Sequence, residues 1–145
     1  AKLRRGALHN AAKAEGCTTV ALGHHFDDAV ETFMLNLFYE GRIGCFQPVT
    51  YLSRTDIRVI RPLLYVPEKE IRAYAKDAAL PVVESRCPAN ENTEREAMKQ
   101  LLHQLEFENK GLRHRIFNAM QKGEVDGFHL PDRRPLRFPE QDDDE

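Results

Sequence analysis

The sequence lacks any long hydrophobic run: its apolar stretches extend over a handful of residues, far short of the roughly 20 that cross a bilayer. It also lacks a signal-peptide pattern at its start. These absences predict a cytoplasmic protein with no membrane partner. The composition, with 41% hydrophobic and 30% charged residues, is typical of a soluble globular protein, and 145 residues suffice for one domain or a large part of one.

Cysteine is scarce, and its spacing excludes two kinds of site. Cys17, Cys45 and Cys87 lie far apart and include no Cys-x-x-Cys pair. They therefore predict neither a disulfide framework nor a zinc site built by this chain alone. On spacing alone, each is interpreted as a buried or unused thiol.

A strong net charge is also lacking, since the formal value is only -2. Acidic residues concentrate in 140–145, so the rest of the chain is slightly basic, which permits a nucleic-acid partner without requiring one. The proline-rich and acidic end has no periodicity, and we expect residues 123–145 to form a disordered tail.

Apolar periodicity predicts alternating helices and strands over residues 1–90. The predicted helices cover 3–12, 27–39 and 67–78, and the predicted strands cover 18–22, 57–60 and 81–84. This alternation predicts an α/β fold with a parallel sheet of about three strands and flanking helices. Residues 40–56 lose the periodicity and collect glycine, proline and serine, which predicts a long loop.

Residues 91–122 have a different pattern. Thr93 and Glu96 form a capping-box signature that begins a helix, and the Asn109-Lys110-Gly111 segment ends it before a second, shorter helix. We expect a helical hairpin appended to the sheet domain.

Four titratable side chains follow the first predicted strand: His24, His25, Asp27 and Asp28. Asp27 alone is explained by capping of the next helix, and a single histidine at a strand end is usually structural. Four such groups within five positions, at the carboxyl end of a parallel strand, favour a ligand or catalytic site on which all four converge. A carboxylate there can hold Mg²⁺ on phosphate oxygens or act as a general base, and a histidine can donate to an anion.

The segment Leu22–Thr32 resembles the second signature of the PP-loop ATPases, which activate a nucleobase carbonyl by adenylation. Segments Lys2–Leu8, Leu35–Gly41 and Ile60–Tyr65 narrow the resemblance to the branch that makes 2-thiocytidine in the tRNA anticodon loop. The match extends over about residues 1–93. It implies a partial Rossmann-like, adenine nucleotide alpha hydrolase-like fold, with ATP and Mg²⁺ as cofactors and a cysteine desulfurase or other sulfur donor as a partner.

Two family features do not occur in this sequence: the Ser-Gly-Gly-x-x-Ser phosphate loop and a Cys-x-x-Cys pair. The chain therefore resembles the carboxyl-terminal half of such an enzyme. Cys87 matches the third cysteine of the family's [4Fe-4S] cluster, which one cysteine cannot hold. We expect the chain alone to be inactive and free of bound cofactor, and to form a homodimer through the surfaces that the absent half would cover.

The resemblance also implies residue roles. Asp28 and Arg4 match catalytic positions, although Arg4 is equally explained as a solvated helix residue. The implied nucleotide-binding residues are Gly23, His24, His25, Asp27 and Arg61. Arg61 is also explained by an ion pair with a nearby acid, and the basic groups at 2–5, 113–115 and 133–137 either contact RNA or form solvated surfaces.

Three alternatives remain open at this stage. Lysidine synthesis uses the same carbonyl activation within the superfamily. A metal-dependent phosphohydrolase would use His24, His25, Asp27 and Asp28 as direct ligands. A non-catalytic module would use the helical hairpin as a docking surface.

Overall fold

The computed structural model describes residues 2–83 and 93–131. In this part of the chain, three strands and five α-helices are followed by a short 3-10 turn. In chain order they are α1 (Lys2–Ala14), β1 (Thr19–Ala21), α2 (Phe26–Tyr39), β2 (Val49–Leu52), β3 (Ile57–Ile60), α3 (Glu68–Asp77), α4 (Thr93–Glu108), α5 (Leu112–Lys122) and the 3-10 turn Val125–Gly127. Cys87 and the basic residues at 133–137 lie outside the described residues.

The three strands form one mixed sheet in the order β1-β3-β2. β1 and β3 are parallel, with Val20 opposite Val59, whereas β2 is antiparallel to β3, with Thr50 opposite Val59. The predicted α/β class is confirmed, and the parallel β1-β3 pair places the carboxyl ends of both strands at the same edge.

The third strand is not the segment that the sequence suggested. Residues 81–83 form no strand, and β2 instead lies inside the predicted loop 40–56. β2 is an edge strand, and its residues alternate only between exposed and partly buried. Its sequence therefore shows little of the apolar alternation that would predict a strand. Val82 and Val83 are 76% and 88% exposed, and β-branched composition without a pairing partner did not make them a strand.

The predicted helices are confirmed to within one or two residues at most ends. α1 is followed by Gly16 at φ 74°, the left-handed conformation that favours glycine after a helix. Pro67 is the extended residue that precedes α3 rather than its first helical residue. None of the helices in the described residues is long and apolar enough to cross a membrane.

The larger hydrophobic core lies between α2 and the helical hairpin of α4 and α5. Its buried residues are Phe26, Ala29, Val30, Cys45, Leu64, Met98, Leu102, Phe117, Met120 and Phe128. A smaller cluster of Val20, Ile57 and Val59 lies in the sheet. The hairpin therefore shares the core of α2. Phe128 is also buried there and Val125 packs against it, whereas residues 129–131 are exposed.

Removing a core side chain of the hairpin tests this shared core. Leu102 is fully buried, and we expect Leu102→Ala to lower the free energy of unfolding by about 2–5 kcal/mol, because truncation leaves a cavity between α4 and α2. Urea unfolding followed by circular dichroism measures the loss. Leu3→Ala is the control, since Leu3 is 91% exposed and should change the value by under about 0.5 kcal/mol. Similar small losses in both variants would contradict the shared core.

Candidate functional site

The candidate site begins where β1 and β3 end together. The Leu22 N–H donates to the Ile60 carbonyl over 2.9 Å, which extends the parallel pairing by one residue beyond β1. The chain then leaves the sheet through Gly23 and His24 and enters α2. Gly23 is exposed, and no atom outside Gly23 and its two chain neighbours lies within 4 Å of the position that a Cβ would occupy. The turn therefore presents open backbone at the edge where parallel sheets bind ligands.

His24, Arg61 and Phe46 form a compact group at this edge. The Arg61 Nε–H donates to His24 Nδ1 over 3.3 Å, the Arg61 guanidinium lies 5.1 Å from the Phe46 ring centre, and the His24 and Phe46 rings are 4.9 Å apart. Burial and then the Arg61 charge lower the pKa of His24, while Asp28 acts in the opposite direction. His24 is therefore a neutral imidazole near pH 7, beside a guanidinium.

His25 and Asp28 cap the start of α2 reciprocally. The His25 N–H donates to Asp28 Oδ2 over 2.9 Å, and the Asp28 N–H donates to His25 Nδ1 over 3.3 Å. This is a capping box in which histidine and aspartate replace the usual hydroxyl and glutamate. Asp28 remains 29% exposed, and within the described residues its Oδ1 accepts no hydrogen bond. One carboxylate oxygen is thus fixed and the other is available.

Asp27 faces elsewhere, so the expectation that all four side chains converge is wrong. Its Oδ1 accepts from the Arg113 guanidinium over 2.7 Å, and its Oδ2 accepts from the Glu68 N–H over 2.7 Å. Successive residues of a helix project about 100° apart, so neighbouring aspartates in the first turn of α2 cannot share one direction. Asp27 lines a cavity of about 670 Å³ between α3, α4 and α5.

The same face of α2 carries Glu31, four residues after Asp27. Arg95 of α4 donates to Glu31 Oε2 over 3.4 Å and to Thr32 Oγ1 over 3.1 Å. Asp27 and Glu31 are 5% exposed, and a carboxylate so buried requires a cationic or hydrogen-bonding partner. No local pattern in the sequence indicated that Asp27 and Glu31 would be buried, or which arginines would pair with them.

Some of the predicted cationic residues are exposed, and others already bind acidic or polar side chains of this chain. Arg4 is exposed on α1, and no ion pair among the described residues joins it to Asp28. Arg5 lies near enough to Arg61 for its charge to act on that guanidinium, although burial contributes more to lowering the pKa of Arg61. In the predicted 113–115 group, Arg113 pairs with Asp27 and Arg115 donates to Asn109, so both are already occupied.

Comparison with known proteins places this geometry in a family. The sequence model of the PP-loop domain matches residues 1–106. The chain belongs to the PP-loop family.

Relatives of this PP-loop chain have named activities. It is 40% identical over 139 residues to a tRNA-cytidine(32) 2-sulfurtransferase of Geobacter metallireducens, covering 94% of this chain and 53% of the relative. It is 41% identical over 139 residues to one of Alkalilimnicola ehrlichii, covering 94% and 43%. The chain thus spans about half the length of the curated relatives it matches.

A solved structure agrees with the fold. The U34-tRNA thiolase NcsA of Methanococcus maripaludis, described with its [4Fe-4S] cluster, superposes with a TM-score of 0.67 at 25% identity. The match covers 83% of this chain and 41% of the thiolase.

The donors of the PP-loop chain fit a phosphate-bearing ligand with Mg²⁺ better than a metal held by protein alone. No three of the histidine, cysteine, aspartate and glutamate side chains in the described part form a metal-binding group. The phosphohydrolase alternative needs His24, His25, Asp27 and Asp28 together as direct ligands, whereas both Asp27 oxygens accept hydrogen bonds from Arg113 and the Glu68 N–H. Mg²⁺ on substrate phosphates needs only one or two carboxylates, and Asp28 meets that requirement.

Neither Cys17 nor Cys45 belongs to a group of three metal-binding side chains within the described residues. Cys45 is buried, its thiol donates to the Ala29 carbonyl over 3.5 Å, and burial raises its pKa to about 12. Cys17 is exposed in the turn before β1. Cys45 therefore packs as a small buried side chain, as its spacing suggested.

Breaking the Asp27 pair tests how strongly α5 is fixed to α2. Arg113→Met leaves a buried carboxylate without its cation, and we expect a loss of about 3–5 kcal/mol in the free energy of unfolding. Urea unfolding at pH 7 measures it. The matched control is Arg72→Met, which breaks the pair that the 74% exposed Arg72 makes with Glu68 and should cost under about 1 kcal/mol. Equal losses of unfolding free energy in the two variants would show that the Asp27–Arg113 pair does not fix α5 to α2.

Glu31 gives a pH-dependent prediction. Burial raises the pKa of Glu31 above 4.5 and outweighs the opposing charges of Lys99 and Arg95. The folded chain therefore holds a proton that the unfolded chain releases, so the unfolding free energy falls as pH rises from 4.5 through the raised pKa. Glu31→Gln keeps the shape of the side chain but removes its titration, so this contribution to the fall in unfolding free energy disappears. Urea unfolding across that window compares the two slopes, and identical slopes would show that Glu31 does not titrate there.

Proposed function

We propose that this chain supplies about half of an ATP-dependent tRNA-cytidine 2-sulfurtransferase. The observation that supports it most strongly is the 40% identity over 139 residues to the tRNA-cytidine(32) 2-sulfurtransferase of Geobacter metallireducens. The edge of the sheet adds chemical support, since it combines an available carboxylate oxygen, a neutral imidazole and a half-buried guanidinium. Sulfur replaces the 2-oxo group of the cytidine in this proposal.

The residues of the turn bind and orient the nucleotide. Gly23 leaves room for a phosphate beside the backbone, and Arg61 supplies the positive charge that such an anion requires. His24, kept neutral, donates a hydrogen bond through Nε2 because its Nδ1 already accepts from Arg61. His25 fixes the backbone of the turn through its reciprocal bonds with Asp28. Asp27 contributes indirectly, by holding α3 and α5 in place.

Asp28 and Arg4 are the proposed catalytic residues. The hydrogen bond from the His25 N–H fixes Asp28 Oδ2, so Oδ1 is oriented to accept a proton or to bind Mg²⁺ on the phosphates. Arg4, exposed on α1, neutralises negative charge that develops on the substrate. Bound ATP would activate the cytidine 2-oxo oxygen as a leaving group, and a [4Fe-4S] cluster with Cys87 among its ligands would supply the sulfur.

The partners belong to the same proposal. The substrate is the anticodon loop of tRNA, and a cysteine desulfurase or another donor delivers the sulfur. We also propose a cytoplasmic location and a homodimer, for which the exposed side chains of Tyr74, Val82 and Val83 are candidate contact surface.

Deleting the gene and measuring tRNA nucleosides by mass spectrometry tests the function. We expect 2-thiocytidine to disappear and the wild-type gene to restore it. A gene carrying Asp28→Asn should restore about 100-fold less or none, because the acceptor oxygen loses its charge. Asp77→Asn, in an exposed carboxylate at the end of α3, should restore the wild-type level.

Two outcomes would contradict the assignment. Unchanged 2-thiocytidine in the deletion strain would refute thiolation of cytidine. Loss of lysidine with intact 2-thiocytidine would favour lysidine synthesis instead.

A further inference from the structure

A hydrogen bond between residues far apart in the sequence lies next to the His24–Arg61–Phe46 group, and the proposed function does not use it. The Cys45 N–H, next to Phe46, donates to Asp126 Oδ2 over 2.8 Å across 81 positions of sequence. The Gly44 carbonyl accepts from Asn36 Nδ2 over 2.8 Å, so the loop is held from α2 as well. The loop residues 44–46 are therefore fixed on two sides by hydrogen bonds.

The turn that carries Asp126 has an unusual backbone. Glu124 and Asp126 have φ values of 50° and 47°, in the left-handed region that residues other than glycine seldom adopt. Anchors on both sides maintain it: Phe128 is 2% exposed in the core, and Gln121 Nε2 donates to the His129 carbonyl over 3.1 Å. Strain that the surrounding structure maintains in this way is characteristic of functional positions.

Phe46 connects this turn to the sheet edge. On one side its ring centre lies 6.5 Å from that of Phe128. On the other side it contacts the His24 ring and lies beneath the Arg61 guanidinium. Arg61 also donates through Nη1 to the Gln47 carbonyl, so the two polar groups that face the proposed nucleotide rest on loop residues 46 and 47, which directly follow the Cys45 N–H that Asp126 holds.

We propose that Asp126 and Phe46 are positioning residues, which hold Arg61 and His24 in one fixed arrangement at the carboxyl ends of β1 and β3. Neither residue touches the reacting groups in the proposed reaction. The identity of the ligand rests on the proposed function, but the positioning itself is a property of this chain and is measured without any ligand.

The experiment is an NMR titration of the His24 ring protons in this chain, with the resonance assigned by its loss in His24→Gln. The groups that act on His24 are Arg61, Asp28, Arg95 and His25. Asp126→Ala removes the acceptor for the Cys45 N–H. The loop then loosens, water reaches His24, and Arg61 leaves its place over Phe46. Both changes raise the pKa of His24 toward the ordinary value of 6.5.

Two variants of matched charge separate positioning from electrostatics. Asp126→Asn keeps an acceptor oxygen and loses the charge, so it should retain the wild-type pKa of His24. Asp77→Ala removes an exposed carboxylate from the end of α3 and should also leave it unchanged. Equal shifts in Asp126→Ala and Asp126→Asn would overturn the proposal, because charge alone would then explain them.

Phe46→Leu keeps an apolar side chain in the loop but removes the ring, so it tests the proposal even if Asp126→Ala unfolds. We expect the pKa of His24 to rise in this variant too, and an unchanged value would overturn the proposal. If the deletion strain keeps its 2-thiocytidine while these titrations shift as expected, the proposed function fails and the positioning role stands.

Discussion

The carboxylate of Asp27 is the constraint on which the arrangement of the helices depends. It is 5% exposed, and its two oxygens accept from the Arg113 guanidinium of α5 and the first N–H of α3. A buried charge without partners is costly, so α2, α3 and α5 must meet at this point for the chain to fold as it does. An apolar side chain there would not demand any such geometry, which makes the pair a source of specificity more than of net stability.

The acidic residues that follow β1 lie on two faces of one helix and have two different sets of partners. Asp27 and Glu31 are four residues apart and face the hairpin, where Arg113 and Arg95 neutralise them. Asp28 faces the sheet edge and shares hydrogen bonds with His25. A run of adjacent acids on a helix is therefore a poor indication that all of them bind one ligand.

Local patterns in the sequence predicted those parts of the fold that depend on local physics. The apolar periodicity of α1, α2 and α3 and the capping-box signature of α4 were sufficient to locate these elements, because helix periodicity and helix caps are properties of short segments. β2 was missed because an edge strand needs little apolar surface, and β2 is a strand only through its hydrogen bonds with β3. Nor did any local signal pair Asp126 with Cys45 or Arg113 with Asp27, since these contacts bridge 81 and 86 positions.

Two different parts of the chain therefore supply the chemical groups of the site and the contacts that hold them in place. Apart from Arg4 and Cys87, its proposed chemical groups come from the part of the chain between Gly23 and Arg61, and the parallel pairing of β1 with β3 brings them to one edge. The rigidity of that edge comes from residues after 93, because the hairpin fixes α2 from one side and the turn at 125–127 fixes Phe46 from the other. Hydrogen bonds and packing of this kind are what hold functional groups within the narrow geometry that catalysis requires. The helical hairpin is therefore a structural support of the sheet edge, and substitutions within it can alter the orientation of His24, Asp28 and Arg61 without contacting a ligand.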